Sequence, residues 1–288
     1  MNRRVDVLLF IVMVVFWAIN YPLVKIALNY MNSYSLLFYR VLFSILGILF
    51  IFNKKLNLHL TRDEILPLFI LSMLNVLIFM ELWFMAESTI SSSLSSIIIY
   101  TYPVTSTLLS IIILKESYSR FVFMGIIFGF TGVIVIFFNG LLSGLGIGVL
   151  IALAGSFSWS AGTIYYKKYL TGKKRETTNF YQFAFSLLPS FLIAAAADPG
   201  IGLITPPPIF LLIVAIIGIP GTAVAYYAFL HLNRVYKVST ISSFLFLVPA
   251  VSVVFGFIIL KEIPTLYEVA GLILVSIGII FSAKGLRK

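Results

Sequence analysis

Apolar residues run along this chain in segments of about 20, separated by short polar connections. A helix rising about 1.5 Å per residue needs that length to cross roughly 30 Å of hydrocarbon, so each run predicts a membrane-crossing helix. Ten are predicted, at 5–28, 34–52, 65–86, 92–114, 119–138, 145–167, 178–197, 209–230, 238–260 and 266–283. The expected fold class is an all-α integral membrane protein.

The pattern repeats. Around Pro103 the chain reads IYTYPV, followed by Lys115, Glu116, Gly125 and Gly132; around Pro249 it reads LFLVPA, followed by Lys261, Glu262, Gly271 and Gly278. Every matched pair is 146 positions apart. Upstream, Trp17 pairs with Trp159, Lys25 with Lys167 and Tyr39 with Tyr181, each 142 apart, so a short insertion separates the two alignments. Two five-helix copies are expected, over 1–141 and 142–288. An odd number of spans inverts the second copy, and inverted bundles can open a shared central cavity alternately to either side.

Composition agrees. Of 288 residues 61% are hydrophobic and 10% charged, with mean hydropathy +1.10, too little polar material to coat a soluble globule. Seventeen of the 20 Lys and Arg residues fall at alternate connections, which orients both termini to the cytoplasm of a cell membrane. The connection 53–64 is basic, whereas its counterpart 198–208 has no Lys or Arg. The net charge of +10 therefore reads as topology and attraction to anionic membrane lipid, not nucleic-acid binding. The first segment follows Arg3 and Arg4 like a signal peptide, yet it is long, carries Asn20 and Lys25 and lacks a small-residue cleavage motif, so it is expected to be retained. No cysteine is present, which excludes thiol chemistry and disulfides.

These features resemble the ten-helix, EamA-type branch of the drug/metabolite transporter superfamily. The resemblance rests on Trp17 and Lys25, Tyr39 and Arg40, the Pro-centred fourth and ninth segments with their Lys-Glu ends, and the run from Gly218 to Tyr226 (GIPGTAVAY). It implies two inverted five-helix repeats around a central cavity. It also implies movement of small metabolites such as amino acids, often outward. No cofactor is expected, and the chain is expected to act as a monomer or homodimer.

Ionisable groups within a span mark function by default. Lys25, Arg40 and Glu81 lie roughly 13, 4 and 8 Å from their segment centres, all toward the outer face. Glu81 neutralises one cation at most, which would leave about one positive charge for a substrate carboxylate or phosphate. The competing reading makes Arg40 and Glu81 a structural ion pair and has Lys25 snorkel to the headgroups. The counterparts of Arg40 and Glu81 are Gln182 and Tyr227, so both charges belong to the first copy only. Glu81 is also the candidate proton carrier, should transport draw on a proton or ion gradient.

Ser92, Ser96, Tyr100, Thr107 and Ser110 form one polar face with Pro103, expected to hold the substrate's polar part; the competing reading has the hydroxyls bond their own backbone. Trp17 and Trp159, with Tyr39 and Tyr181, are candidates to enclose a ligand from both copies, against interfacial or packing roles. Asn20 and Pro22 predict a local helix break, and Pro103 and Pro249 paired bending points. Gly125, Gly129, Gly132, Gly271 and Gly278 read as close helix packing or a dimer contact. Glu116 and Glu262 read as solvated or capping groups, and His59 and His231 as surface or packing residues. No hydrolase, metalloprotease or P-loop motif occurs, so an enzyme or ATP-driven pump is not expected. A receptor or scaffold reusing the fold is the alternative to a transporter.

Overall fold

The computed structural model describes residues 3–117, 119–142, 146–198 and 206–285, and all regular structure among them is helical. In chain order the helices are α1 (Arg3–Ala27), α2 (Ser33–Phe52), α3 (Arg62–Thr89), α4 (Ser92–Leu114) and α5 (Arg120–Leu142), then α6 (Gly146–Tyr169), α7 (Arg175–Ala197), α8 (Pro208–Val235), α9 (Val238–Leu260) and α10 (Leu266–Gly285). Eight are long and apolar enough to cross a membrane; α5 and α10 contribute shorter apolar stretches, Arg120–Gly132 and Leu266–Gly278. Arg287, Lys288 and most of the connection 198–208 lie outside the described residues.

Among the rods that outrun their expected limits are α3, which extends to Thr89, and α8, which extends to Val235. Each contains a π-helical turn, Met73–Ile78 and Ile219–Val224, 146 positions apart. Helices α4 and α9 are interrupted at matching places. In α4 the break is at Tyr100 and Thr101, just before Pro103; in α9 it is at Phe246, just before Pro249. A proline cannot donate to the preceding turn, and it fits the first turn of the resumed helix. The break expected at Asn20 and Pro22 does not form, since α1 is continuous through both. Pro22 removes one amide bond, and the flanking turns, including buried Trp17, Ala18, Tyr21 and Val24, are held by packing against α8 and α9.

Small residues set how closely the rods approach. A Cβ on Gly278 would sit 2.7 Å from the Gly125 carbonyl oxygen and 3.1 Å from the Gly129 nitrogen, so α5 and α10 meet backbone to backbone, with Phe128 and Phe281 stacked beside them. These glycines are occupied within one chain. On α8, Gly218 lies against Phe43 and the Arg40 carbonyl, and Gly221 against Asn20. This pulls α8 onto α1 and α2 at the centre of the bundle.

Candidate functional site

At that centre eight side chains enclose a cavity of about 20 Å³, room for one water. They are Trp17 and Tyr21 from α1, Arg40 from α2, Phe79 and Trp83 from α3, Tyr100 from α4, Trp159 from α6 and Tyr226 from α8. None is more than 5% exposed, so the cavity is closed to both ends. The indoles of Trp17 and Trp159 meet edge to face at 5.3 Å, and Trp159 stacks on Tyr102 at 3.9 Å and on Phe79 at 5.0 Å.

Arg40 is the one cation in this wall. Its Nε donates to Thr222 Oγ1 at 2.9 Å, a hydroxyl placed by the π-turn of α8, which in turn donates to the Ile217 carbonyl. The guanidinium carbon lies 4.9 Å from the Trp83 ring centre and 5.4 Å from that of Phe84, and aromatic faces stabilise a cation withdrawn from water. Arg40 Nη1 is buried without a hydrogen-bond partner. A buried unmet donor on a cation costs more than a neutral one, and it invites an anionic acceptor. The structural ion pair between Arg40 and Glu81 of the competing reading does not form, since Arg40 makes no ion pair among the described residues.

Of the sequence-predicted site residues, Trp17, Arg40, Tyr100 and Trp159 meet at the cavity, and the others serve elsewhere. Asn20 donates to the Gly221 carbonyl at 3.1 Å. Tyr39 packs edge to face on Phe210. Tyr181 donates to the Leu58 carbonyl at 2.7 Å, Gln182 to Asn179 Oδ1 at 2.9 Å, and Tyr227 to Glu176 at 3.4 Å beside the ring of Phe52. The polar face of α4 is likewise consumed by structure. Ser96 and Ser110 bond backbone carbonyls three residues back, Ser92 bonds Glu262, and only Tyr100 reaches the cavity. With no water available, a hydroxyl in a packed bundle takes the nearest carbonyl or neighbouring side chain.

Lys25 neither lines the cavity nor snorkels. Its Nζ donates to the carbonyls of Glu87 at 2.6 Å and Ile90 at 2.8 Å, satisfying the end of α3. Lys167 does the same for α8, donating to the carbonyls of Asn233 at 2.5 Å and Tyr236 at 2.8 Å. The Lys-Glu pairs cross over in the same manner. Glu262, following α9, accepts from the amides and hydroxyls of Ser92 and Ser93 at 2.7–3.0 Å and so caps α4. Glu116, following α4, accepts from the Val238 amide at 3.3 Å and so caps α9. Lys115 and Lys261 both turn through left-handed backbone, φ 54° and 59°, to aim these carboxylates. Burial pushes the Glu262 carboxyl up, but its hydrogen bonds from Ser93 and Ser92 outweigh that and hold it below the usual carboxylate range.

Lys25 and Glu262 thus close one end of the bundle; Lys167 and Glu116 close the other, the end that carries Arg4, Lys54, Lys55 and Arg234. That basic end has a further tie. Arg175 donates to Nδ1 of His231, whose Nε2 donates to Asp6 at 2.8 Å, and Tyr236 donates to the second Asp6 oxygen at 2.8 Å. His231 is therefore a bridge between α1, α7 and α8.

Five buried groups escaped the sequence reading: Tyr21, Phe79, Trp83, Tyr226 and Glu87. The first four complete the aromatic wall. Matching positions across the copies could not reveal Trp83, whose counterpart is Phe229. Glu87 lies one residue beyond the end that hydropathy predicts for the third segment, at 86, and inside the helix that forms, Arg62–Thr89.

The sequence profile of the EamA-like transporter family matches twice, over residues 5–138 and 146–283. The chain belongs to the EamA-like transporter family. Among curated relatives, the uncharacterized transporter YvbV of Bacillus subtilis is 31% identical over 93% of this chain and 88% of its own length. A probable amino-acid metabolite efflux pump of Salmonella typhimurium is 24% identical over 100% of this chain and 97% of its own. A crystal structure covering all of both chains shares the fold at TM-score 0.77 and 15% identity. The chain is thus a multi-pass membrane transporter of this family.

Proposed function

We propose that this protein carries small carboxylate-bearing metabolites, amino acids foremost, across the cell membrane by alternating access, as an exporter or exchanger. In this reading ten helices span the membrane as two inverted five-helix repeats, 1–141 and 142–288, with both termini and the basic end in the cytoplasm. The observation that carries it is the Arg40 Nη1 donor, buried and unmet in an aromatic cavity closed at both ends. A substrate carboxylate supplies the missing acceptor, and the surrounding rings hold its apolar part. The state described here is occluded. Exchange of the Lys25 and Lys167 closures would open the cavity to one face and then the other. The name of the Salmonella relative agrees with amino acids as substrates. Nothing in this reading calls for catalysis or a cofactor.

The test is counterflow into proteoliposomes preloaded with a pool of unlabelled L-amino acids and organic acids, read with the labelled pool. Saturable exchange that Arg40→Ala abolishes supports the proposal. Binding of the pool without exchange would instead favour a receptor.

A further inference from the structure

Two carboxylates lie at the same closed end of the bundle, in opposite surroundings. Glu262 has donors on both oxygens, one to Oε1 and three to Oε2, the setting of an anion. Glu87 is 0% exposed, and both of its donors fall on one oxygen: Trp83 Nε1 at 2.5 Å and Ser95 Oγ at 3.1 Å, each to Oε2. Oε1 has no partner. Such a division suits a neutral acid, with Oε2 as carbonyl and the proton on Oε1. A buried anion left with one bare oxygen would be costly.

Its neighbours join it to the cavity wall and to the Lys25 closure. Trp83 donates to Glu87 while its ring lines the cavity and carries the Arg40 guanidinium on its face. The Glu87 backbone carbonyl is held by Lys25, which closes this end. The charged and titratable groups that act on Glu87 are Lys25 and Tyr21 on α1, Arg40 on α2 and Glu262 beyond α9.

We infer that Glu87 is the proton-binding carboxyl of this transporter, coupling carboxylate movement to movement of a proton in the same direction, outward where the substrate gradient drives export; this rests on the transport reading above. When the Lys25 end is open, water and the freed Lys25 ammonium stabilise the Glu87 anion. On closing, Glu87 takes a proton from hydronium in the water of the open end: the Oε1–H bond forms as one O–H bond of the hydronium breaks, leaving a water molecule behind. The sign of coupling comes from Arg40. While its charge is unmet it favours the Glu87 anion; a substrate carboxylate bound to it cancels that field and favours the protonated acid. Substrate and proton therefore bind with mutual reinforcement, and by linkage each raises the affinity for the other. Glu81 lies outside the cavity wall and has no such connection, so the proton role expected of it passes to Glu87.

The experiment uses proteoliposomes with an internal pH dye, clamped membrane potential and the labelled L-amino-acid pool. In the wild type, counterflow is expected without a pH gradient, and net uptake of the pool carries protons inward. Glu87→Gln should keep counterflow and lose the proton signal, while Glu81→Gln keeps both. Wild-type counterflow with no accompanying proton movement, or a proton signal that survives in Glu87→Gln, overturns the inference. Absence of wild-type counterflow removes the transport reading and this inference with it. If Glu87→Gln fails to fold, Glu87→Asp decides: its pH profile of net uptake should shift from that of the wild type, and an unchanged profile counts against the proposal.

Discussion

The two ends of the bundle are closed by the same device and differ in what stands behind it. Lys25 and Lys167 each cap the last turn of a neighbouring helix, and Glu262 and Glu116 each cap the first turn of another, at positions related by the repeat. Behind the Lys25 end stand Arg40, Trp83 and Glu87; their counterparts behind the basic end are Gln182, Phe229 and Asn233. Gln182 is neutral and spends its amide donor on Asn179, with only its carbonyl oxygen unmet, where Arg40 keeps a cationic donor unmet, and Asn233 bonds Phe229 within its own helix where Glu87 accepts from Trp83. Closure recurs in both copies because both ends need it. In the proposed function, substrate chemistry needs one anchor only, which explains why Arg40 has no charged counterpart in the second copy.

The sharpest way to break this contrast is to make the first copy resemble the second. Arg40→Gln should weaken transport of carboxylates by roughly 10- to 100-fold in apparent affinity, the worth of a hydrogen bond to a charged group. Gln182→Ala should leave affinity near the wild-type value and lower stability instead. Concentration series of counterflow for the two variants distinguish them.

Next comes the shared scaffold. Gly278→Ala puts a methyl group 2.7 Å from the backbone oxygen of Gly125, which a side-chain rotation cannot relieve. Thermal unfolding in detergent should show a loss of about 1–3 kcal/mol, the usual cost of overpacking, without a change in substrate preference.

The smallest effect belongs to Glu262. Its carboxyl is held below its ordinary value of 4.5, so its contribution to stability is full above that value and is lost as pH falls through the lower value of the folded protein. Glu262→Gln should flatten that acid limb of the unfolding-temperature profile and leave the profile near neutrality parallel to the wild type.

Much of the architecture was legible because hydrophobic run length and repeat spacing are properties of the chain itself. The site was legible only in part. Pairing positions across the copies found Trp17 and Trp159, which do meet, but it also chose Tyr39 and Tyr181, which pack far from the cavity. Intramembrane charge picked out Arg40, which lines the cavity, and Lys25, which caps α3 outside it. Both are costly in hydrocarbon, and the sequence holds no record that the end of α3 offers Lys25 two free carbonyls. Glu87 stayed hidden just past the expected end at 86, because α3 runs through a π-turn and continues to Thr89, later than hydropathy alone indicates.

The absence of cysteine makes the central claim of alternating closure directly measurable. Tyr100→Cys places one thiol in the cavity wall, to be labelled by a membrane-impermeant reagent added to either face of oriented proteoliposomes. The account predicts slow labelling from both faces, accelerated from the face opposite the basic end by Lys25→Met and from the basic face by Lys167→Met. Labelling from the same single face in all three proteins would contradict it.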